Sequence, residues 1–177
     1  MPKLPLQDIV HDGITNAAKI IDHGHHEIHG GSHFMICGEA VLSAESVDFQ
    51  LTTPNTTKWT HMTFGYSITD EMLFEIYESA TVSADGTGLT AYNNNRNSTK
   101  TTGLTLLQTD GSVAVAGSKI YAQRTGYNNT PSRFEGGAST RDREIILKQG
   151  TTYRFLFTSA GANNFSYCGE WYDHTNI

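Results

Sequence analysis

The chain has 177 residues and a formal net charge of −6, from 12 basic and 18 acidic side chains. This length suits one domain with its own core, and the acidic balance argues against a nucleic-acid partner, because phosphate neutralisation needs Lys and Arg. Aromatic residues make up 10% and charged residues 17%, which excludes a disordered chain. No stretch approaches the about 18 apolar residues of a spanning helix, and no apolar run follows the N-terminus, so neither a membrane partner nor secretion is expected.

The first 34 residues differ from the rest and predict an N-terminal arm. Residues 1–12 include Pro2 and Pro5 and have no period, which indicates an extended chain. The next ten residues predict a short helix with Ile14 and Ile21 on one stripe, and a helix this short needs a surface to dock on. Residues 23–33 are rich in His and Gly and predict a loop. We therefore expect an arm over residues 1–34 and a β-sandwich body over 35–177.

The body is predicted from alternating apolar and polar residues, the period of a half-buried strand. The turn sequence Thr69-Asp70-Glu71 separates two such runs, so these runs predict a hairpin. We count about eight strands with no helical rhythm between them, which predicts an all-β, antiparallel β-sandwich of jelly-roll type. The alternating or apolar runs cover residues 47–51, 62–68, 73–77, 144–148, 153–157 and 165–171.

Two long polar insertions, residues 84–103 and 123–143, interrupt the strands. Loops of this length are typically functional or bind a neighbour, so we expect both to make contacts between subunits. Arginine is favoured there because its guanidinium binds carboxylates through two hydrogen bonds. The candidate interface residues are Tyr92, Asn95, Arg96, Tyr127, Arg133 and Arg141, together with Ile14 and Ile21 of the arm.

Six of the eight histidines lie between His11 and His33. Neutral imidazole is a common metal ligand, and His29 and His33 have i,i+4 spacing. A metal site would use His26, His29 and His33, with Glu27 nearby. The alternative is a polar loop whose imidazoles bind the backbone or neighbouring chains. We favour that alternative, and no metal or cofactor is expected.

Nucleophilic catalysis has no motif in this chain: there is no Gly-x-Ser-x-Gly and no cysteine beside a recognisable oxyanion loop. The adjacent pair Asp173 and His174 is interpreted as incidental, so no catalytic residue is assigned and no enzyme is expected. Cys37 and Cys168 stand far apart in the sequence and predict two buried free thiols, although the sequence leaves open whether they meet.

Several short motifs stand out along the chain: His26-Glu27-Ile28-His29-Gly30-Gly31, residues 53–62, residues 75–78, the Asn93-Asn94-Asn95-Arg96-Asn97 loop, residues 146–148 and Trp171-Tyr172-Asp173-His174. Spread over residues 23–174, they resemble, in matching order, the capsid decoration (cement) proteins of tailed bacteriophages. The resemblance implies a structural virion protein with a β-sandwich body, often a homotrimer. Such a protein is made in the host cytoplasm and binds the major capsid protein on the outer surface of the shell. The resemblance brings no catalytic residues.

Two other functions remain open from the residues alone. A tail fibre or host-glycan-binding module of the virion would use the same sandwich, with aromatic side chains that stack on sugars. Tyr92 and Tyr127 are the better candidates because they lie in the polar loops, whereas the alternation of Trp171 with apolar residues predicts a core position. A more distant alternative is a histidine-dependent metalloprotein. The aromatic candidates are Trp59, Tyr92, Tyr127, Trp171 and Tyr172.

Overall fold

The computed structural model describes residues 23–126, 134–136 and 144–175. Within these ranges the chain is almost entirely β-strand, with one helix, α1, over His23–Gly30. The strands are β1 His33–Ser43, β2 Ser46–Thr52, β3 Lys58–Ile68, β4 Met72–Glu78, β5 Thr81–Ala84, β6 Thr87–Gly88, β7 Tyr92–Asn93, β8 Leu106–Thr109, β9 Ser112–Val115, β10 Ser118–Thr125, β11 Phe134–Gly136, β12 Ile145–Leu147, β13 Thr152–Ser159 and β14 Ala162–Thr175.

In the described ranges the longer strands form two six-stranded sheets. The first sheet has the order β11, β3, β14, β1, β7, with β12 also paired to β3. The second has the order β10, β4, β13, β2, β8, β6. All the pairs within these sheets are antiparallel. The predicted all-β, antiparallel, sandwich-like architecture is therefore confirmed.

The core lies between the two sheets and is built from aromatic side chains on their inner faces. Phe64 of β3 stacks on Phe155 of β13 with ring centroids 5.5 Å apart. Phe157 packs against Phe165 of β14 at 4.8 Å. Trp171 is 0% exposed, as its alternation predicts. These large side chains bury most of their area and hold the two sheets face to face.

The predicted hairpin between residues 62–68 and 73–77 is wrong. β3 lies in the first sheet and β4 in the second, so the turn between them carries the chain across the sandwich. The buried side chain of Asn163 holds this crossing. Its Oδ1 accepts hydrogen bonds from the amides of Thr69 and Asp70, and its Nδ2 donates to the carbonyl of Asp70 at 2.9 Å. Alternation of apolar and polar residues predicts which face of a strand is buried, but it does not predict which strand lies beside it. Both sheets bury one face here, so strands of either sheet show the same pattern.

The His-rich segment is a helix rather than the predicted loop. Gly31, at φ +70°, ends α1 in the left-handed conformation that glycine adopts without steric cost. The amide of Gly31 donates to the carbonyl of Ile28, and the amide of Ser32 donates to the carbonyl of Glu27. These two bonds form a Schellman motif, in which the glycines of the segment cap a helix. The prediction of a loop was wrong because it treated the glycines as loop residues, whereas Gly31 caps the end of a helix.

Cys37 and Cys168 form a disulfide, and Cys37 is exposed while Cys168 is half-buried, which corrects the expectation of two buried free thiols. They are directly opposite one another in the register of β1 and β14, with Cα atoms 4.1 Å apart. Only the strand register brings them together, because 131 positions separate them in the sequence. The bond therefore joins the first and last long strands of the first sheet.

The arm predicted for residues 1–34 lies largely outside the described residues, which begin at position 23. β1 begins at His33, and Phe34 is already part of the core. Among the described residues, no helix has the length and apolar character needed to cross a membrane.

Candidate interface and histidine sites

The asparagine-rich loop of the first insertion fastens the end of α1 to the body. The buried Asn93 donates from Nδ2 to the carbonyl of Gly31 at 2.8 Å and to that of Lys100 at 3.2 Å. Asn94 adds a backbone bond, from its amide to the carbonyl of His33 at 2.9 Å. Two consecutive residues of the loop thus hold the junction of α1 and β1, Asn93 through its side chain and Asn94 through its backbone.

Asn95 and Lys100 extend this attachment to the last turn of the helix. Asn95 Nδ2 donates to the carbonyl of His29 at 3.2 Å, and Lys100 Nζ donates to the carbonyl of Gly30 at 2.7 Å. A helix leaves its last carbonyls without partners inside the helix, and a cation there is also favoured by the helix dipole. Asn95 was expected at a contact between subunits, and the structure places its side-chain amide on its own chain.

Tyr92 and Arg96 form the exposed part of the same loop. The Arg96 guanidinium carbon lies 5.3 Å from the centroid of the Tyr92 ring, within cation–π range. Tyr92 is 50% exposed, so the pair presents an aromatic ring and a cation to solvent. Five of the interface residues expected from the sequence lie outside the described residues. These candidates, which stay predictions, are Tyr127, Arg133, Arg141, Ile14 and Ile21.

The three histidines proposed as metal ligands do not converge. His26 is exposed, with Nδ1 3.6 Å from Glu27 Oε1. His29 instead contacts His25, with the two Nε2 atoms 3.0 Å apart. His33 lies beyond the end of α1, buried in β1, so its i,i+4 spacing from His29 does not place both on one helix face. In the described part of the chain, no group of three or more His, Cys, Asp or Glu side chains is placed to hold a metal ion.

Burial changes the chemistry of His33. Its ring stacks on Tyr172 with centroids 6.0 Å apart, and its Nδ1 has no hydrogen-bond partner among the described residues. Burial lowers the pKa of His33 below its ordinary value, and the carboxylates of Glu170, Glu27 and Glu144 oppose this shift in part. The imidazole is therefore held in its neutral form more strongly than in an unfolded chain.

A second histidine cluster was missed by the sequence reasoning. His61 Nδ1 lies 2.6 Å from Glu144 Oε1, and the Tyr172 hydroxyl donates to the same oxygen at 2.9 Å. The His61 ring stacks on Tyr172 at 4.7 Å and lies 5.0 Å from the ring of His174. Tyr172 stands opposite His61 in the register of β14 and β3, which brings together residues that are 111 positions apart.

The contacts of the His61 cluster join neighbouring strands of the first sheet. Glu144 lies immediately before β12, and its carboxylate joins that end of the strand to side chains of β3 and β14. The neighbouring Asp173 accepts from Thr60 Oγ1 at 2.6 Å and from the amide of Gly103 at 3.2 Å. The Asp173 carboxylate thus binds both Thr60 of β3 and the loop that contains Gly103.

Two concave regions accompany these clusters. A cavity of about 410 Å³ lies between the sheets at the β3, β4, β10 and β12 side. A shallower groove of about 280 Å³ lies beside Trp59, which is 36% exposed, and Ile146, which is 50% exposed. The cavity is lined by Met62, Phe64, Tyr66, Phe74, Ile76, Tyr121, Gln123, Glu144, Ile145, Leu147 and Phe155.

Comparison of the chain with protein-family models, with curated proteins and with solved structures finds no match.

Proposed function

We propose that this protein is a non-enzymatic structural protein of a tailed-phage virion. It decorates and cements the capsid by binding the major capsid protein on the outer surface of the shell, as a homotrimer. The observation that carries the proposal is the fastening of the α1 end to the body through Asn93, Asn95 and Lys100. Residues 1–22 of the predicted arm precede this fixed point in the sequence. An arm that starts from a rigid anchor can add contact area on a preformed shell.

The body of the proposed cement protein is a jelly roll. The strand order supports this, because β1 pairs with β14 in one sheet and β2 pairs with β13 in the other. The first and last long strands are thus neighbours, as are the second and the next to last, as in one long hairpin rolled into two sheets. Jelly rolls occur in viral capsid and lectin domains. Such a body gives a shell protein the stiffness that it needs.

The disulfide supports a role outside the cytoplasm. Thiols of cytosolic proteins are kept reduced, whereas disulfides persist in oxidising surroundings. In this proposal the chain is made in the host cytoplasm, and the Cys37–Cys168 bond serves the released virion. The net charge of −6 is compatible with an outer surface that does not contact the packaged DNA.

Deletion of residues 1–22 tests the proposed binding mode. The full chain and the truncated chain are added to purified shells that lack the protein, and bound protein is measured after sedimentation. We expect the truncated chain to lose shell binding while circular dichroism and thermal unfolding show an intact sandwich. If the folded truncated chain binds as tightly as the full chain, the arm is not the attachment device.

The exposed Trp59 favours one second candidate, a tail-associated module that binds host glycans. Its side chain lies in a groove with Ile146, Lys148 and Gln149, and an exposed aromatic ring beside polar groups is suited to sugar stacking. Glycan-array binding that is lost in Trp59→Ala, and kept in Tyr92→Ala, would support this candidate. Absence of glycan binding by the intact protein would reject it.

A further inference from the structure

We propose that His25 and His29 form a two-histidine site for a divalent transition-metal ion of the Ni²⁺ and Cu²⁺ class. The two residues are one helical turn apart on α1, and both are exposed. Their Nε2 atoms lie 3.0 Å apart, and their rings meet edge to face with centroids at 4.7 Å. The same nitrogen of each imidazole thus faces the other ring on the exposed side of the helix. The site is independent of the proposed capsid role.

The nitrogen separation selects the class of metal. With metal–nitrogen distances of about 2.1 Å, two nitrogens 3.0 Å apart subtend an angle of about 90° at the metal. That is the angle between adjacent ligands in octahedral and square-planar complexes, which Ni²⁺ and Cu²⁺ form. Tetrahedral Zn²⁺ needs an angle of about 109° and therefore a separation of about 3.4 Å. The 3.0 Å separation of the two Nε2 atoms therefore fits Ni²⁺ and Cu²⁺ without movement of the helix.

Metal binding replaces the hydrogen between the two rings. At 3.0 Å one Nε2 carries a hydrogen and the other accepts it. When the ion binds, the hydrogen on the donor ring moves through solvent to Nδ1 of the same ring, so both imidazoles stay neutral and each offers an Nε2 lone pair. Water fills the remaining coordination positions. No net proton is released, and acid competes with the metal because only neutral imidazole binds it.

The helix that carries the pair is already ordered without the metal. The Schellman motif at Gly31 closes its end, and Asn95 and Lys100 bind the carbonyls of His29 and Gly30. Binding therefore requires less loss of backbone freedom than binding to an isolated peptide helix, which would be marginally stable. A single i,i+4 pair can then act as a chelate.

The test uses the full chain without an affinity tag, titrated by calorimetry with NiCl₂, CuCl₂ and ZnCl₂ at pH 7.5. We expect one Ni²⁺ or Cu²⁺ per chain, and weaker binding of Zn²⁺ than of Ni²⁺. His25→Ala and His29→Ala should each weaken Ni²⁺ binding on the order of 100-fold, because each leaves a single ligand. His26→Ala is the matched control, since it changes an exposed histidine on the same helix that does not face the pair.

A second measurement separates chelation from adventitious binding. Ni²⁺ should raise the thermal unfolding midpoint of the wild type and of His26→Ala, but not of His25→Ala or His29→Ala, because a ligand of the native state stabilises it. Equal Ni²⁺ affinity in all three variants would overturn the proposal. Tighter binding of Zn²⁺ than of Ni²⁺ would overturn the geometric assignment, and an equal loss in His26→Ala would show that the pair is not the site.

Discussion

The buried side-chain amide of Asn93 donates a hydrogen bond to the carbonyl of Gly31 at 2.8 Å. The same side chain binds the carbonyl of Lys100 and accepts a bond at Oδ1 from the amide of Asn95 at 2.9 Å. One side chain therefore joins the end of α1 to both sides of the asparagine-rich loop. This arrangement makes the loop part of the anchorage of the N-terminal segment.

Asn93→Ala should weaken this anchorage. It leaves the Gly31 carbonyl without its side-chain donor, so we expect a loss of about 1–3 kcal/mol in the free energy of unfolding. Urea denaturation measures the loss, and hydrogen exchange should become faster at the amides of residues 31–34. Asn97→Ala is the matched control because that side chain is exposed. Unchanged exchange in Asn93→Ala would contradict the anchoring role.

Arg96→Ala tests the exposed part of the loop. The guanidinium lies over the Tyr92 ring and projects from the body, so its loss should change the free energy of unfolding by about 0.5 kcal/mol or less. Assembly of the trimer or its attachment to the shell should weaken, because a bidentate donor is lost. Sedimentation velocity and shell binding measure both effects. Undiminished assembly and attachment would remove Arg96 from the interface.

Reduction of the Cys37–Cys168 bond should destabilise the sandwich. The bond closes a loop with a sequence separation of 131, and cross-links over long loops restrict the unfolded chain. We expect a loss of about 2–5 kcal/mol in the free energy of unfolding for the Cys37→Ser, Cys168→Ser double variant. The variant should be insensitive to reductant. Equal stability of the oxidised wild type and the double variant would contradict this expectation.

Mild acid should destabilise the protein through His33. The pKa of His33 is lowered in the folded state, so the unfolded chain takes up a proton first as the pH falls through about 6.5. Stability is therefore lost as the pH falls through 6.5 towards the lowered folded value, while Glu170, Glu27 and Glu144 limit the effect. His33→Phe keeps a ring against Tyr172 and should make the decline between pH 7 and pH 5 shallower. An identical decline in both proteins would exclude His33 as its source.

Local pattern predicted those parts of the fold that depend on one strand alone. Alternation placed Phe49 and Phe157 inward and predicted the core position of Trp171, and the structure buries all three. The antiparallel, all-β architecture followed from the same period and from the lack of helical rhythm. Such features need no knowledge of which strand lies beside which.

Features that depend on strand pairing could not be predicted. The crossing between β3 and β4, the Cys37–Cys168 bond and the His61 cluster all arise from partners far away in the sequence. Helix α1 is a different case, because the sequence contains a local signal for the end of the helix. Gly31 follows the histidines at the position of a helix cap, so a cap-based reading of the glycines could have found the helix and the His25–His29 pair.

The copy number in purified virions tests the central claim most directly. Quantitative mass spectrometry with labelled reference peptides compares this chain with the major capsid protein of the same particles. A cement protein should be present at a copy number that approaches that of the shell subunit. A copy number far below it would place the protein at the tail or portal, and absence from the virion would contradict the structural role altogether.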